Sequence, residues 1–139
     1  MTSTSPRRST EPDPPDSPRS IGFTRASVIR LIEEGGSFPL ELGGTLGPID
    51  VEYETYGDLA PSRDNVVLIF HALSGDAHVA GWDAAVDETG RSWRAKKPGW
   101  WDAVVGPGKA IDTDRFFVLC PNVLGSCYGT TGPASTNPS

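Results

Sequence analysis

The sequence predicts an α/β protein built on a mixed sheet, and three observations predict it. Asn65–Phe70 (NVVLIF) is an unbroken apolar run, Phe116–Cys120 (FFVLC) is a second, and Ile49–Thr55 (IDVEYET) alternates apolar and polar residues. Continuous apolar runs read as parallel strands covered on both faces. A period of two reads as a strand with one buried and one wet face. The stretch between the two runs suffices for a crossover, and its Gly and Pro residues keep any helices short.

The elements follow in order. Residues 1–20 are Pro, Ser or Thr at 13 positions and hold no aromatic or branched aliphatic side chain. Such a stretch buries too little apolar surface to offset the entropy of ordering it, so a disordered tail is expected. Residues 21–139 then form the folded portion. Arg25–Gly35 places Val28, Leu31 and Ile32 at i, i+3, i+4 and is read as a short helix or an extended arm. Phe38–Leu42 is a candidate strand. Gly43, Gly44, Gly47 and Pro48 supply turn chemistry, so this strand and Ile49–Thr55 are expected to pair as an antiparallel hairpin at a sheet edge. Two edge strands followed by two buried ones is how an α/β-hydrolase sheet starts. With the chain's 139 residues, the expected fold is an incomplete α/β-hydrolase: an N-terminal antiparallel edge hairpin plus the first parallel core strands. The last strand is then expected to be an unpaired edge.

Bulk properties exclude several functions. Eighteen acidic residues against twelve basic ones give a net charge of -6. No Lys/Arg cluster offsets it, which argues against nucleic acid. No run approaches the roughly 18 apolar residues of a membrane span, and no apolar stretch follows Arg7 and Arg8 as a secretory signal requires. A soluble cytoplasmic protein is expected. Cys120 and Cys127 are expected to be reduced thiols, and neither their spacing nor that of His71 and His78 suits a metal.

The candidate chemistry sits behind the first apolar run, in His71-Ala72-Leu73-Ser74-Gly75-Asp76-Ala77-His78. Ligands of open α/β sheets gather at the carboxyl ends of the strands. An α/β-hydrolase takes one oxyanion-hole N–H from the residue after its nucleophile and the other from the loop after this early strand. Leu73 is placed as that second donor, through its backbone N–H. Small Ala72 and Gly75 let a substrate approach. His71 is read as a hydrogen-bonding post and His78 as exposed, since neither shows an acidic orienter.

No serine satisfies G-x-S-x-G: Ser74 follows Ala72 by two positions and Ser126 follows Leu124. Gly125-Ser126-Cys127-Tyr128-Gly129 fits with cysteine, making Cys127 the rival nucleophile. Its continuation, Thr130-Thr131-Gly132-Pro133, is a loop where an elbow needs a helix. Trp93, Trp100 and Trp101 are read as loop anchors rather than a substrate channel.

Taken in order, Tyr53–Gly57 (YETYG), His71–Asp76 (HALSGD), Gly99–Asp102 (GWWD), Gly106-Pro107-Gly108, Asp112-Thr113, Phe116–Val118 and Asn122–Pro133 (NVLGSCYGTTGP) resemble the N-terminal part of homoserine O-acetyltransferases of the methionine pathway. The resemblance implies a ping-pong reaction in which a serine takes acetyl from acetyl-CoA and passes it to the hydroxyl of L-homoserine. It implies acetyl-CoA as a co-substrate with no bound cofactor or metal, and a possible homodimer at full length. The Leu73 amide alone carries over to a catalytic role. The serine, aspartate and histidine of the triad are expected beyond this sequence, leaving the chain inactive by itself. The alternatives are a cysteine-dependent hydrolase using Cys127 and a non-catalytic interaction module.

Overall fold

The computed structural model describes residues 11–135. It contains ten strands: β1 (Phe23–Thr24), β2 (Ser27–Ile32), β3 (Phe38–Pro39), β4 (Thr45–Leu46), β5 (Ile49–Tyr56), β6 (Val66–Leu68), β7 (Trp82–Asp83), β8 (Val105–Gly106), β9 (Ile111–Asp112) and β10 (Phe117–Pro121). Helix is confined to one turn, α1 (Val86–Thr89), and a 3-10 turn at Ser92–Arg94. None is long and apolar enough to cross a membrane.

Four strands form the central sheet in the order β2-β5-β10-β6. β5 runs antiparallel to both β2 and β10, while β10 and β6 are parallel, with Val118 opposite Val67 and Leu119 opposite Leu68. The two apolar runs are therefore adjacent parallel strands, joined by a long connection with short helical turns. One sheet face buries Tyr56, Ile69, Val118 and Cys120 against Val79, Ala80 and Val105 of that connection.

Several expectations need correction. The strand expected over Phe38–Leu42 does not pair with β5; β2 does, and Arg25–Gly35 takes the extended form of its two expected readings. The segment expected as a strand over Phe38–Leu42 is reduced to two residues that pair with β4 in a separate small ribbon. Phe38 and Leu40 are only about half covered and Leu42 is fully exposed, and a strand that buries so little has little to extend it. The last strand is not the unpaired edge. β10 lies inside the sheet, and β6 takes the edge. On β6, Val66 and Leu68 stand about half exposed, and Phe70 beyond its end is exposed too, whereas Val67 and Ile69 point inward. The run alternates in burial here because only one of its faces is covered.

The alternation in β5 is also inverted. Glu52, Glu54 and Tyr56 lie on the buried face and Thr55 is exposed. A carboxylate in an apolar interior is costly unless it is paired. The connection supplies that pairing: Arg91 forks onto Glu52 with two bonds of 2.8 Å, and His78 Nδ1 meets Glu54 at 3.1 Å.

A disordered tail is expected over residues 1–20. Residues 1–10 lie outside the described residues. Within residues 11–20, the Asp13 carbonyl accepts the Trp82 indole N–H at 3.2 Å, and the Asp13 carboxylate lies 3.5 Å from Lys109 Nζ.

Candidate functional site

The site is built where the parallel pair β6 and β10 ends. The chain leaves β6 into a turn closed by the Gly75 N–H on the Ala72 carbonyl at 2.7 Å, with Leu73 and Ser74 at its corners. Leu73 is 93% exposed, and its amide donates to no acceptor among the described residues. A free N–H at the carboxyl end of two parallel strands is the disposition expected of an oxyanion donor.

The rest of the turn is locked. His71 is buried, its Nδ1 faces the Ala72 carbonyl at 2.7 Å, and its Nε2 receives the Val123 N–H at 3.3 Å. Both ring nitrogens are occupied, which fixes the neutral Nδ1–H tautomer. His71 is a post that ties the ends of β6 and β10 together, and it is no base. Asn122, just after β10, receives the Ala77 N–H on its side-chain oxygen at 2.6 Å and donates to Glu52 at 3.2 Å. Its amide also bonds the Tyr128 carbonyl.

His78 departs from expectation. It is 3% exposed and has an acidic orienter, Glu54, 2% exposed. The Tyr56 hydroxyl donates to the same carboxylate at 2.9 Å. Burial, and then the Glu54 charge, push the Tyr56 phenol well above its ordinary value, so it stays a donor. Arg94, also 3% exposed, bonds Asp76 at 2.6 Å and Asp83 at 2.9 Å, and stands 3.8 Å from Glu54. Burial alone would raise the Asp83 carboxyl. The Ala85 amide and the Arg94 guanidinium outweigh it and hold the group below the usual carboxylate range.

Sequence reasoning missed this cluster. The signal available was Glu-x-Glu-x-Tyr on one face of β5, which hydropathy assigns to water. His78 Nε2 remains buried with no partner among the described residues.

Beside the turn opens a cleft of about 520 Å³, lined among others by Ser74, His78, Trp93, Lys97, Trp100 and Tyr128. Trp93 packs against Tyr128 with ring centroids 5.3 Å apart, and the Trp100 indole donates to the Asp76 carbonyl at 2.9 Å. Trp100 is thus a loop anchor, yet it and Trp93 stay about half exposed on the cleft wall. Trp101 stacks on Trp100 at 5.3 Å.

The two cysteines are free thiols and differ sharply. Burial, and then the nearby Glu54 and Asp76 charges, push the Cys120 thiol up to about 12. Cys127 is exposed, and no helix follows it among the described residues, so the elbow geometry is absent. Iodoacetamide at pH 8 is expected to label Cys127 in the native chain and to spare Cys120, with peptide mass mapping as the check. A folded-state thiol raised above its unfolded value near 9 also sets a sign for stability. The Cys120 contribution is complete below that pH and is lost as pH climbs toward about 12. No group of three or more metal-ligating side chains occurs among the described residues.

No family model matches the chain. Many curated relatives do, and two serve as examples. The homoserine O-acetyltransferase of Geobacter metallireducens is 57% identical over 119 residues, which is 86% of this chain and 29% of the relative. The homoserine O-succinyltransferase of Nocardioides sp. is 49% identical over 122 residues, 86% of this chain and 30% of the relative. Among solved structures, homoserine O-acetyltransferase from Bacillus anthracis superposes with a TM-score of 0.67 at 35% identity, over 84% of this chain and 29% of that one. Esterase E22 gives 0.66 at 34% identity, over 83% and 30%. The chain therefore spans about 29% of the length of the curated relatives it matches. On sequence and fold together, the chain matches a part of proteins named homoserine O-acetyltransferase, and it carries an incomplete α/β-hydrolase fold.

Proposed function

We propose that the chain is the N-terminal part of an enzyme that moves acetyl from acetyl-CoA to the hydroxyl of L-homoserine through a serine acyl-enzyme, in the cytoplasm and within methionine synthesis. One observation carries this reading: the unpaired Leu73 amide on the turn after β6, at the carboxyl end of the parallel pair. In each half-reaction the attacked carbonyl becomes a tetrahedral oxyanion, and a preorganised N–H aimed at that oxygen stabilises the transition state more than the ground state. His71 and Asn122 hold the turn so that its amide needs no reorganisation as charge develops.

The chain's own residues contain no G-x-S-x-G, so the nucleophile has to come from elsewhere in the enzyme. The chain by itself is expected to release no CoA thiol from acetyl-CoA and homoserine. A chimera tests the positive claim. Residues 21–135 of this chain replace the matching segment of the Geobacter metallireducens protein, and thiol release is followed colorimetrically. Homoserine-dependent release is expected. Thiol release that ignores homoserine would mark a hydrolase, and a folded chimera with no release at all would remove the acyl-transfer reading.

A further inference from the structure

The central sheet ends in two edges, β2 and β6, and they differ in how they are protected. β2 carries the devices that keep an edge from pairing with another chain. Its register shifts between Arg30 and Ile32, Arg30 stands in the strand as a charge, and Arg25, Glu33 and Glu34 flank it. β6 carries none of these. From Asn65 to Phe70 the chain has no charged side chain and no proline, and β6 pairs with β10 without a shift in register.

The backbone of β6 turns outward at alternate positions. The Asn65 carbonyl accepts the Phe117 N–H at 2.9 Å, and the Ile69 N–H donates to the Leu119 carbonyl at 2.9 Å. Positions 65, 67 and 69 therefore face β10, and Val66, Leu68 and Phe70 turn their peptide groups away from the sheet. Their side chains are 47%, 49% and 69% exposed. Half-buried Phe117 and Leu119 stand beside Val66 and Leu68 on the same face.

The outward positions are spaced evenly about Leu68, which makes this edge complementary to itself. A second copy laid antiparallel about a two-fold axis at Leu68 sets Leu68 against Leu68, and Val66 against Phe70 of that copy. Each facing pair then exchanges two N–H···O bonds. Phe70 beside Val66 is an aromatic–β-branched pair of the kind that stabilises a sheet. Asp64 falls opposite Ala72, so no like charges meet.

We propose that β6 is the contact edge of a symmetric dimer of this chain, joining two four-stranded sheets into one through Val66, Leu68 and Phe70. The occupant is a second copy because it brings an equally uncharged edge in matching register. The inference is independent of the acyl-transfer reading.

Thr55 supplies the geometric test. It is exposed, and Leu119 aligns it with Leu68 across the sheet. Five strand spacings of about 4.8 Å separate the two Thr55 backbones, so about 24 Å is expected between them. Nitroxide labels on Thr55→Cys in a Cys127→Ser background report that distance by double electron–electron resonance, with Cys120 buried and unlabelled. Sedimentation velocity across a wide concentration range is expected to show a monomer–dimer equilibrium. Leu68→Lys, which opposes two ammonium groups at the axis, is expected to weaken the dimer about tenfold or more. Leu31→Lys, on the β2 edge and 59% exposed, is expected to leave it unchanged.

A cooperative melt checks the fold of each variant, and the label distance decides the matter if Leu68→Lys unfolds. The proposal is overturned by a monomer at every concentration, by open-ended aggregation without a discrete dimer, or by equal weakening from the two lysine variants. A dimer whose labels lie at a distance other than about 24 Å overturns it as well.

Discussion

Leu73→Pro in the active chimera is expected to lower kcat by about 10²–10³-fold, the loss that follows removal of one oxyanion donor. Proline deletes the N–H and little else. Leu73 occupies the second position of the Ala72–Gly75 turn, where proline is favoured, and its amide makes no hydrogen bond that the fold would miss. The turn closure from Gly75 to Ala72 is untouched. The companion Leu73→Ala keeps the amide and trims a side chain already exposed to solvent, so it should run near the parent rate. A transition-state donor lost without ground-state contacts lowers kcat and kcat/KM together. If Leu73→Pro retains the parent kcat, the amide of Leu73 is not the donor, whatever the family resemblance.

Arg94→Met is expected to destabilise the fold by about 3–5 kcal/mol, the usual cost of removing one partner from a buried charge group. Arg94 is 3% exposed, and it bonds Asp76 and Asp83 and approaches Glu54. Its loss leaves three carboxylates without the guanidinium they share, and His78 remains beside Glu54. Against a total stability of about 5–15 kcal/mol for an ordinary domain, that is a large share. The urea midpoint reports it, and adding Asp76→Asn and Asp83→Asn should recover much of the loss by removing the stranded charges. The contrast is Arg25, whose 2.6 Å bond to Glu88 is shorter than most yet lies between side chains more than half exposed. Water screens that pair, and Arg25→Ala should leave the midpoint close to the parent's. Equal losses for the two variants would contradict the assignment of Arg94 to a buried network.

Part of this architecture was legible from residue order alone. Val66–Leu68 and Phe117–Pro121 announced themselves as strands by apolar content, and they pair in parallel. The turn after the first was found by its position at a strand end. The inner face of β5 was not legible. Local hydropathy sends Glu52 and Glu54 to solvent, and the residues that reverse this, Arg91, Arg94 and His78, sit on a distant connection that periodicity cannot see. His78 was misread for the same reason, since its orienter lies 24 positions away in sequence. Phe38–Leu42 failed differently, because a short apolar stretch has strand character only if something covers it, and here the cover is partial at Phe38 and Leu40 and lacking at Leu42 among the described residues. The covalent neighbourhood of a residue predicts its conformation better than its company.

The bare flank of β6 has a consequence for assembly. Its outer neighbour inside the sheet is parallel, so a further strand continuing that direction cannot arrive by a tight turn. It must come through a crossover of a dozen or more residues, which is right-handed almost without exception and lies across a sheet face. Val66 and Leu68 would gain a lateral hydrogen-bonding mate and an overlying apolar layer in one event rather than two. Until that event, the strip is a sticky seam open to any extended chain that drifts past, and dilution or a chaperone would have to guard it.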